Sequence, residues 1–267
     1  MPSRHFIRRV LRAVAIRLGL VAPSSIALSF HLNRSFKEYG SLAEAIAAVE
    51  DSNAWQAMWP AFLENARRNY ETVTTQPTAP QRVLLAALQN LAGEGERFLF
   101  AGCGHAPSRQ YLTANGLKLD YTGVDISPEL IDMAREHYGR ADDFQVCSID
   151  TLPFADRSFN GVVLEGVIQC TYDPAAALKE CARVAERFLI VHWTPIFHSR
   201  PTGHFVRQSG GAQFVETVFN EQDLVKEIIN AGFLLRDVVC IERKKACLPP
   251  AAVHYHKTYI AERSHTR

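Results

Sequence analysis

Two short segments of this chain combine residue types that can hold a ligand. The first is Ala101-Gly102-Cys103-Gly104-His105-Ala106, directly after the apolar run Arg97–Ala101. Glycines at a strand-to-helix turn let backbone approach a ligand closely, with the next helix's N-terminus aimed at it. The second is Val124-Asp125-Ile126-Ser127. A carboxylate roughly twenty positions beyond such glycines suits a ribose, because it accepts from both hydroxyls. Together they indicate a nucleoside-containing cofactor. They leave open which one.

A third segment narrows the choice. Asp150-Thr151-Leu152-Pro153-Phe154-Ala155-Asp156-Arg157-Ser158-Phe159-Asn160 leads into the apolar run Gly161–Glu165. It resembles the acid-x-L-P-F-x-D-x-S-F-D-x-V signature of class I S-adenosylmethionine-dependent methyltransferases, and the order of the three segments is the family's. Asp173-Pro174 and Leu178-x-Glu180-x-x-Arg183-Val184 are similar to its next helix. A nicotinamide-dinucleotide site lacks the third segment, and Pro107 stands where its third glycine belongs. The resemblance spans residues 97–194. It implies S-adenosylmethionine as cofactor, with Gly102, Cys103 and Gly104 beneath the methionine part and Asp125 on the ribose. Ile126 would pack on adenine, and Ser148, Ile149 and Asp150 would line its edge. The chain also departs from the pattern. Phe100 occupies the usual acidic place two residues before the first glycine, Ala106 replaces the third glycine, and Asn160 replaces an aspartate.

Beyond the fourth strand, Glu165 faces the region of the methionine part, where it either meets the cofactor's ammonium group or stands in solvent. The stretch from His192 to Phe205 reads as a loop after the fifth strand, carrying His192, His198, His204, Arg200 and several aromatics. Ligands bind beyond the carboxyl ends of strands in such sheets, so this loop is the expected acceptor pocket. Methyl transfer to a neutral hydroxyl needs a base, and histidine suits that role near neutral pH. His192 or His198 is the expected base, with His204 third. No helical H-x-x-x-H pair is present, and no metal is expected.

The elements that must position these residues follow from periodicity. Apolar runs at Arg97–Ala101, Asp120–Val124, Phe144–Ser148, Gly161–Glu165 and Arg187–His192 alternate with amphipathic segments at Pro107–Asn115, Pro128–Tyr138 and Asp173–Ala185. This alternation predicts strand–helix repeats around a parallel sheet. Glu221–Ala231 is a further helix, and Leu234–Glu242 with His254–Glu262 predict a closing antiparallel pair. The expected fold is α/β: a Rossmann-like, seven-stranded, mostly parallel sheet with helices on both faces and an N-terminal helical extension. Residues 38–92 read as a helical cap and residues 93–267 as the methyltransferase core.

The 267 residues carry a formal charge of +1, which gives no general reason to expect nucleic-acid binding. Six scattered cysteines without a C-x-x-C pair suit reduced thiols in the cytoplasm. Residues 1–37 hold no acid and several early arginines, with apolar residues at helical spacing through residues 4–21. Such a basic amphipathic arm suits an anionic membrane surface, a transit peptide, or a helix docked on the protein's own body, and the sequence leaves these open. The expected function is methylation, at oxygen, of a small-molecule, saccharide or lipid-linked acceptor. Short motifs such as Phe36-x-x-Tyr39-x-Ser41 and His192-Trp193-Thr194-Pro195 are similar to methyltransferases encoded with bacterial surface-polysaccharide genes, which favours a glycan-like acceptor. The alternative, prompted by Phe100, is a non-catalytic cofactor-binding protein that partners another enzyme. Oligomeric state is not legible.

Overall fold

The computed structural model describes residues 35–49, 59–209, 212–245 and 253–264. The basic arm of residues 4–21 lies outside them. The elements run in the order β1 (Ser35–Tyr39), α1 (Leu42–Ala47), α2 (Trp59–Thr72), α3 (Ala79–Leu91), β2 (Arg97–Ala101), α4 (Pro107–Ala114) and β3 (Asp120–Asp125). They continue with α5 (Pro128–Tyr138), β4 (Phe144–Val146), β5 (Phe159–Glu165), α6 (Pro174–Val184), β6 (Ala185–Phe197), β7 (Gly203–Ser209) and β8 (Ala212–Asn220). α7 (Glu221–Asn230), β9 (Phe233–Lys245) and β10 (Val253–Arg263) complete the chain.

Local chemistry sets where the helices begin. Thr78 and Gln81 form a reciprocal capping box at α3, behind Pro80 in the first turn. Ser127 caps α5 by accepting from Leu130 N at 3.2 Å, and Asp173 caps α6 through Ala176 N at 2.9 Å. Proline opens α4, α5 and α6, where its missing N–H costs nothing. The central strands are apolar almost without interruption because both of their faces are covered. One face carries Leu99, Val124, Val162 and Leu164 under α6 and α7, and the other carries Phe98, Phe100, Val163 and Ile190 under α3, α4 and α5.

Seven strands stand in the order β4-β3-β2-β5-β6-β10-β9, parallel up to β6 and antiparallel beyond it. This is the expected Rossmann-like arrangement. Three further strands were not expected. β7 and β8 form an antiparallel hairpin, β1 pairs with β7, and β8 joins the distal end of β6 through Ile196 and Phe197. Among the described residues the N-terminal third therefore holds the strand β1 as well as helices.

The expected loop from His192 to Phe205 is corrected by this extension. β6 runs on to Phe197, paired with β10 through Pro195 and Ile196, and β7 starts at Gly203. The proline and the polar residues resemble loop composition. Burial decides otherwise, because Thr194, Ile196 and Phe197 are all enclosed. Side chains of β7 alternate between two small cores, Phe205 against Phe197 and Val218, and Val206 against Ala45 and Val215. Among the described residues no helix is long and apolar enough to cross a bilayer.

Candidate active site

The glycine turn sits at the carboxyl end of β2 and is held from three sides. Gly102 N and Cys103 N both donate to Val124 O, at 2.8 and 3.0 Å. Gly104 N donates to Asp125 Oδ2 at 2.9 Å, while Asp125 Oδ1 accepts from Ser127 N at 3.0 Å. From below, Tyr70 of α2 donates to His105 O, and Tyr138 of α5 to Ala106 O at 2.7 Å. Gly104 adopts φ +56°, and a Cβ there would meet only Leu130 Cδ1 at 3.7 Å. The backbone surface at Gly104 is open to a ligand, and its conformation belongs to glycine. Ala106 also lies in the left-handed region, at φ 56°, which costs an alanine about 1–2 kcal/mol.

Asp125 ends β3, where it fixes the glycine turn and the start of α5 together. Burial raises its pKa, and the N–H groups of Ser127, Gly104 and Ile126 act against that rise. A carboxylate accepts about four hydrogen bonds, so these N–H groups leave acceptor capacity for a hydroxyl. Ile126, the next residue, is 53 % exposed although apolar. An uncovered aliphatic side chain beside a carboxylate with acceptor capacity to spare suits the flat face of a base.

The segment after β4 is fastened by one side chain. Arg183 of α6 donates to Phe154 O at 2.8 Å and Leu152 O at 3.1 Å, and pairs with Asp156 at 2.6 Å and with Glu180. These bonds fix the run from Leu152 to Asp156, and Phe154 meets Phe159 edge-on. Ser148 is half-buried and Asp150 exposed, as a rim contact requires. The side chains of Ile149 and Cys103 are buried in the two main cores, which leaves only their backbone to face a cofactor.

Phe100 is fully buried and stacks on Tyr121 with ring centroids 4.2 Å apart. A carboxylate arrives instead from the neighbouring strand. Ala101 pairs with Leu164, so Glu165 stands level with Gly102. Ser108, in the first turn of α4, donates to Glu165 Oε1, whereas Oε2 is enclosed and meets no donor. Burial pushes the Glu165 pKa up to about 7, against the opposing effect of the Ser108 bond.

The expected bases lie apart. His192 is buried in β6, with Nδ1 2.8 Å from Thr258 Oγ1, and burial lowers its pKa to about 4. His198 stacks on Tyr255 and reaches Glu221 at 3.3 Å, six residues and roughly 20 Å of strand beyond His192. His204 lies on β7 with Nδ1 3.2 Å from Thr217 Oγ1. The rim directly beyond β5 is formed by Trp193 of β6, which takes φ 53° and rests on Gly166 so closely that a Cβ there would lie 3.1 Å from its ring. His256 of β10 sits beside that indole at 5.7 Å, with Nδ1 3.3 Å from Glu242 Oε1. Sequence reading missed this pair. Its one signal is His254-Tyr255-His256 in a strand that alternates with β9. Among the described residues no group of three potential metal ligands converges.

Residues 99–187 match the methyltransferase domain family model. Those residues form a methyltransferase domain on the Rossmann-like fold described above. The chain is 32 % identical over 131 residues to a malonyl-[acyl-carrier protein] O-methyltransferase of Erwinia pyrifoliae, covering 49 % of this chain and 48 % of that protein. It is 34 % identical over 71 residues to a fatty-acid O-methyltransferase of Mycolicibacterium smegmatis, 26 % of each chain. The chain spans less than half the length of the curated relatives it matches. In fold it is similar to the 1,6-didemethyltoxoflavin-N1-methyltransferase of Burkholderia thailandensis, with a TM-score of 0.58 at 18 % identity, covering 87 % of this chain and 96 % of that one. The matched domain contains the glycine turn, Asp125, the Arg183-fastened segment and Glu165. It stops before Trp193, so the rim at Trp193 lies outside the match.

Proposed function

We propose that the protein transfers a methyl group from S-adenosylmethionine to an oxygen of a small-molecule, saccharide or lipid-linked acceptor. One observation carries the reading: Asp125 fixes the glycine turn through Gly104 N and the start of α5 through Ser127 N, and still offers lone pairs beside the exposed Ile126. That donor and acceptor set fits a nucleoside. Gly102, Cys103 and Gly104 would pass beneath the amino-acid end by their backbone, and Ser148 and Asp150 would border the base. The cofactor, when bound, supplies an activated methyl group. Two matched relatives are named as O-methyltransferases, of a fatty acid and of malonyl-acyl carrier protein, which supports oxygen as the acceptor atom.

The protein's own work is then to orient the acceptor and take its proton. Trp193 offers a flat apolar surface at the rim, and His256 with Glu242 is the histidine–carboxylate pair beside it. His192 is neutral and weakly basic, which suits it to packing more than to proton transfer. His198 lies just past the distal end of β6. The basic arm at residues 4–21 would draw the protein to anionic lipid, consistent with a lipid-linked acceptor. Titration calorimetry with S-adenosylhomocysteine tests the core of this reading. Wild-type protein is expected to bind and Asp125→Ala to bind at least tenfold more weakly. Wild-type protein that shows no heat and no thermal shift would remove it.

A further inference from the structure

The glycine turn contains one residue that takes its backbone conformation against its own side chain. Gly102 and Gly104 adopt φ +73° and +56°, as glycines do freely, but Ala106 adopts φ 56° while fully buried. A conformation of this kind persists only where the surroundings fix it. The peptide planes on either side of Ala106 are both tied. His105 O, in the plane before it, accepts from the Tyr70 hydroxyl of α2, and Ala106 O, in the plane after it, accepts from the Tyr138 hydroxyl of α5 at 2.7 Å. Burial pushes both phenol pKa values up, so both hydroxyls stay protonated and donate. The rings are themselves held. Tyr70 lies flat on His137 with centroids 3.6 Å apart and meets Tyr138 edge-on at 6.0 Å, and Gln110 of α4 donates to Tyr70 O at 3.0 Å. α4 begins directly after Ala106, which gives it no side-chain cap. The two hydroxyls therefore fix the end of the turn and the entry into α4 together.

We infer that Tyr70 and Tyr138 are positioning residues for the cofactor turn, their hydroxyls compensating for the alanine at 106. The inference rests on the S-adenosylmethionine reading above in treating the turn as the cofactor's seat. Both tyrosines act through the backbone of residues 105 and 106 rather than on a ligand. Relaxation of Ala106 to negative φ would turn the two planes relative to each other. One of the tyrosine bonds would then break, or the bond from Ala106 N to Cys103 O at 2.8 Å. Tyr70 belongs to α2 and lies outside residues 99–187, so the helical cap is a working part of the site.

Glycine tests this directly, because it takes positive φ without strain. Calorimetry with S-adenosylhomocysteine compares wild type, Tyr70→Phe, Tyr138→Phe, Ala106→Gly, and each tyrosine variant combined with Ala106→Gly. Phenylalanine keeps the ring and its stacking and removes only the hydroxyl. Each tyrosine variant is expected to bind about fivefold more weakly, the worth of one hydrogen bond. Adding Ala106→Gly is expected to bring each back to within twofold of wild type. Hydrogen exchange without ligand reads the same coupling: protection of the amides from Gly104 to Arg109 should fall in each tyrosine variant and recover with Ala106→Gly. Losses that Ala106→Gly leaves untouched would show that the tyrosines merely brace the fold, and would overturn the inference. Unchanged affinity and protection in both tyrosine variants would overturn it as well. Wild-type protein that binds no S-adenosylhomocysteine would remove the cofactor reading, while the exchange data would still decide whether the two hydroxyls hold the turn.

Discussion

Glu165→Gln should make the unliganded protein more stable at alkaline pH. In the folded chain the carboxyl titrates at about 7, raised from 4.5 by burial. A carboxyl whose folded pKa is raised favours the folded state below its unfolded pKa, and that advantage is lost as pH climbs through the folded value. Between pH 5 and pH 8 the loss amounts to about 2.5 kcal/mol for one proton and a shift of this size. Glutamine cannot ionise, so the variant escapes the loss while keeping the acceptor that Ser108 uses. Urea unfolding of both proteins, without ligand, at pH 5 and pH 8 reads the difference directly. The expected result is a stability gap that moves in the variant's favour by about 2.5 kcal/mol between the two conditions. A gap independent of pH would mean that Glu165 is well solvated, and the reasoning from its burial would be wrong.

Other perturbations have equally definite outcomes. Arg183→Met removes bonds to Leu152 O and Phe154 O; each is worth about 1 kcal/mol for a side chain one-third exposed, so S-adenosylhomocysteine affinity should fall up to about thirtyfold. Hydrogen exchange across residues 150–159 should rise in the same variant, and unchanged protection there would refute the fastening role. His192→Gln should protect against acid: the folded imidazole titrates at about 4 rather than 6.5, so its share of stability is intact above 6.5 and lost as pH falls toward 4, about 2 kcal/mol between pH 7 and pH 5. Urea unfolding at those two pH values should show a shallower decline than in wild type. Once an acceptor is found, His256→Asn should lower kcat by 10²-fold or more while His198→Asn changes it little, and the reverse order would move the base to the distal end of β6.

The parts legible in the sequence are those whose physics is local. β2, β3 and β5 are short apolar runs bounded by turn residues, and the caps at Thr78, Ser127 and Asp173 announce their helices. The glycine turn and Asp125 were readable for the same reason, since their spacing follows from one strand–turn–helix unit. β7 and β8 were not, because Gly203–Ser209 alternates between two small cores whose other walls come from α1 and from β6. Nothing within those seven residues states which partner they meet. The distal half of β6 was misread through Pro195, whose loop character yields to burial of Thr194 and Ile196. The His256–Glu242 pair depends on the register of β9 against β10, which no composition encodes. Glu165 was visible as a residue, but the enclosure of its Oε2 was not.

The sheet is closed by its two ends. β1 faces β7 from Ser35 opposite Gln208, and β10, last in sequence, lies between β6 and β9. Of the described strands, ribosomal synthesis delivers β1 first and β10 last, so β1 waits for β7 and the inner antiparallel slot stays empty until β10 has emerged. Contacts this remote in sequence slow folding and leave apolar strand edges exposed meanwhile. Nascent chains halted before Val253 should therefore depend on chaperones until β10 can enter between β6 and β9.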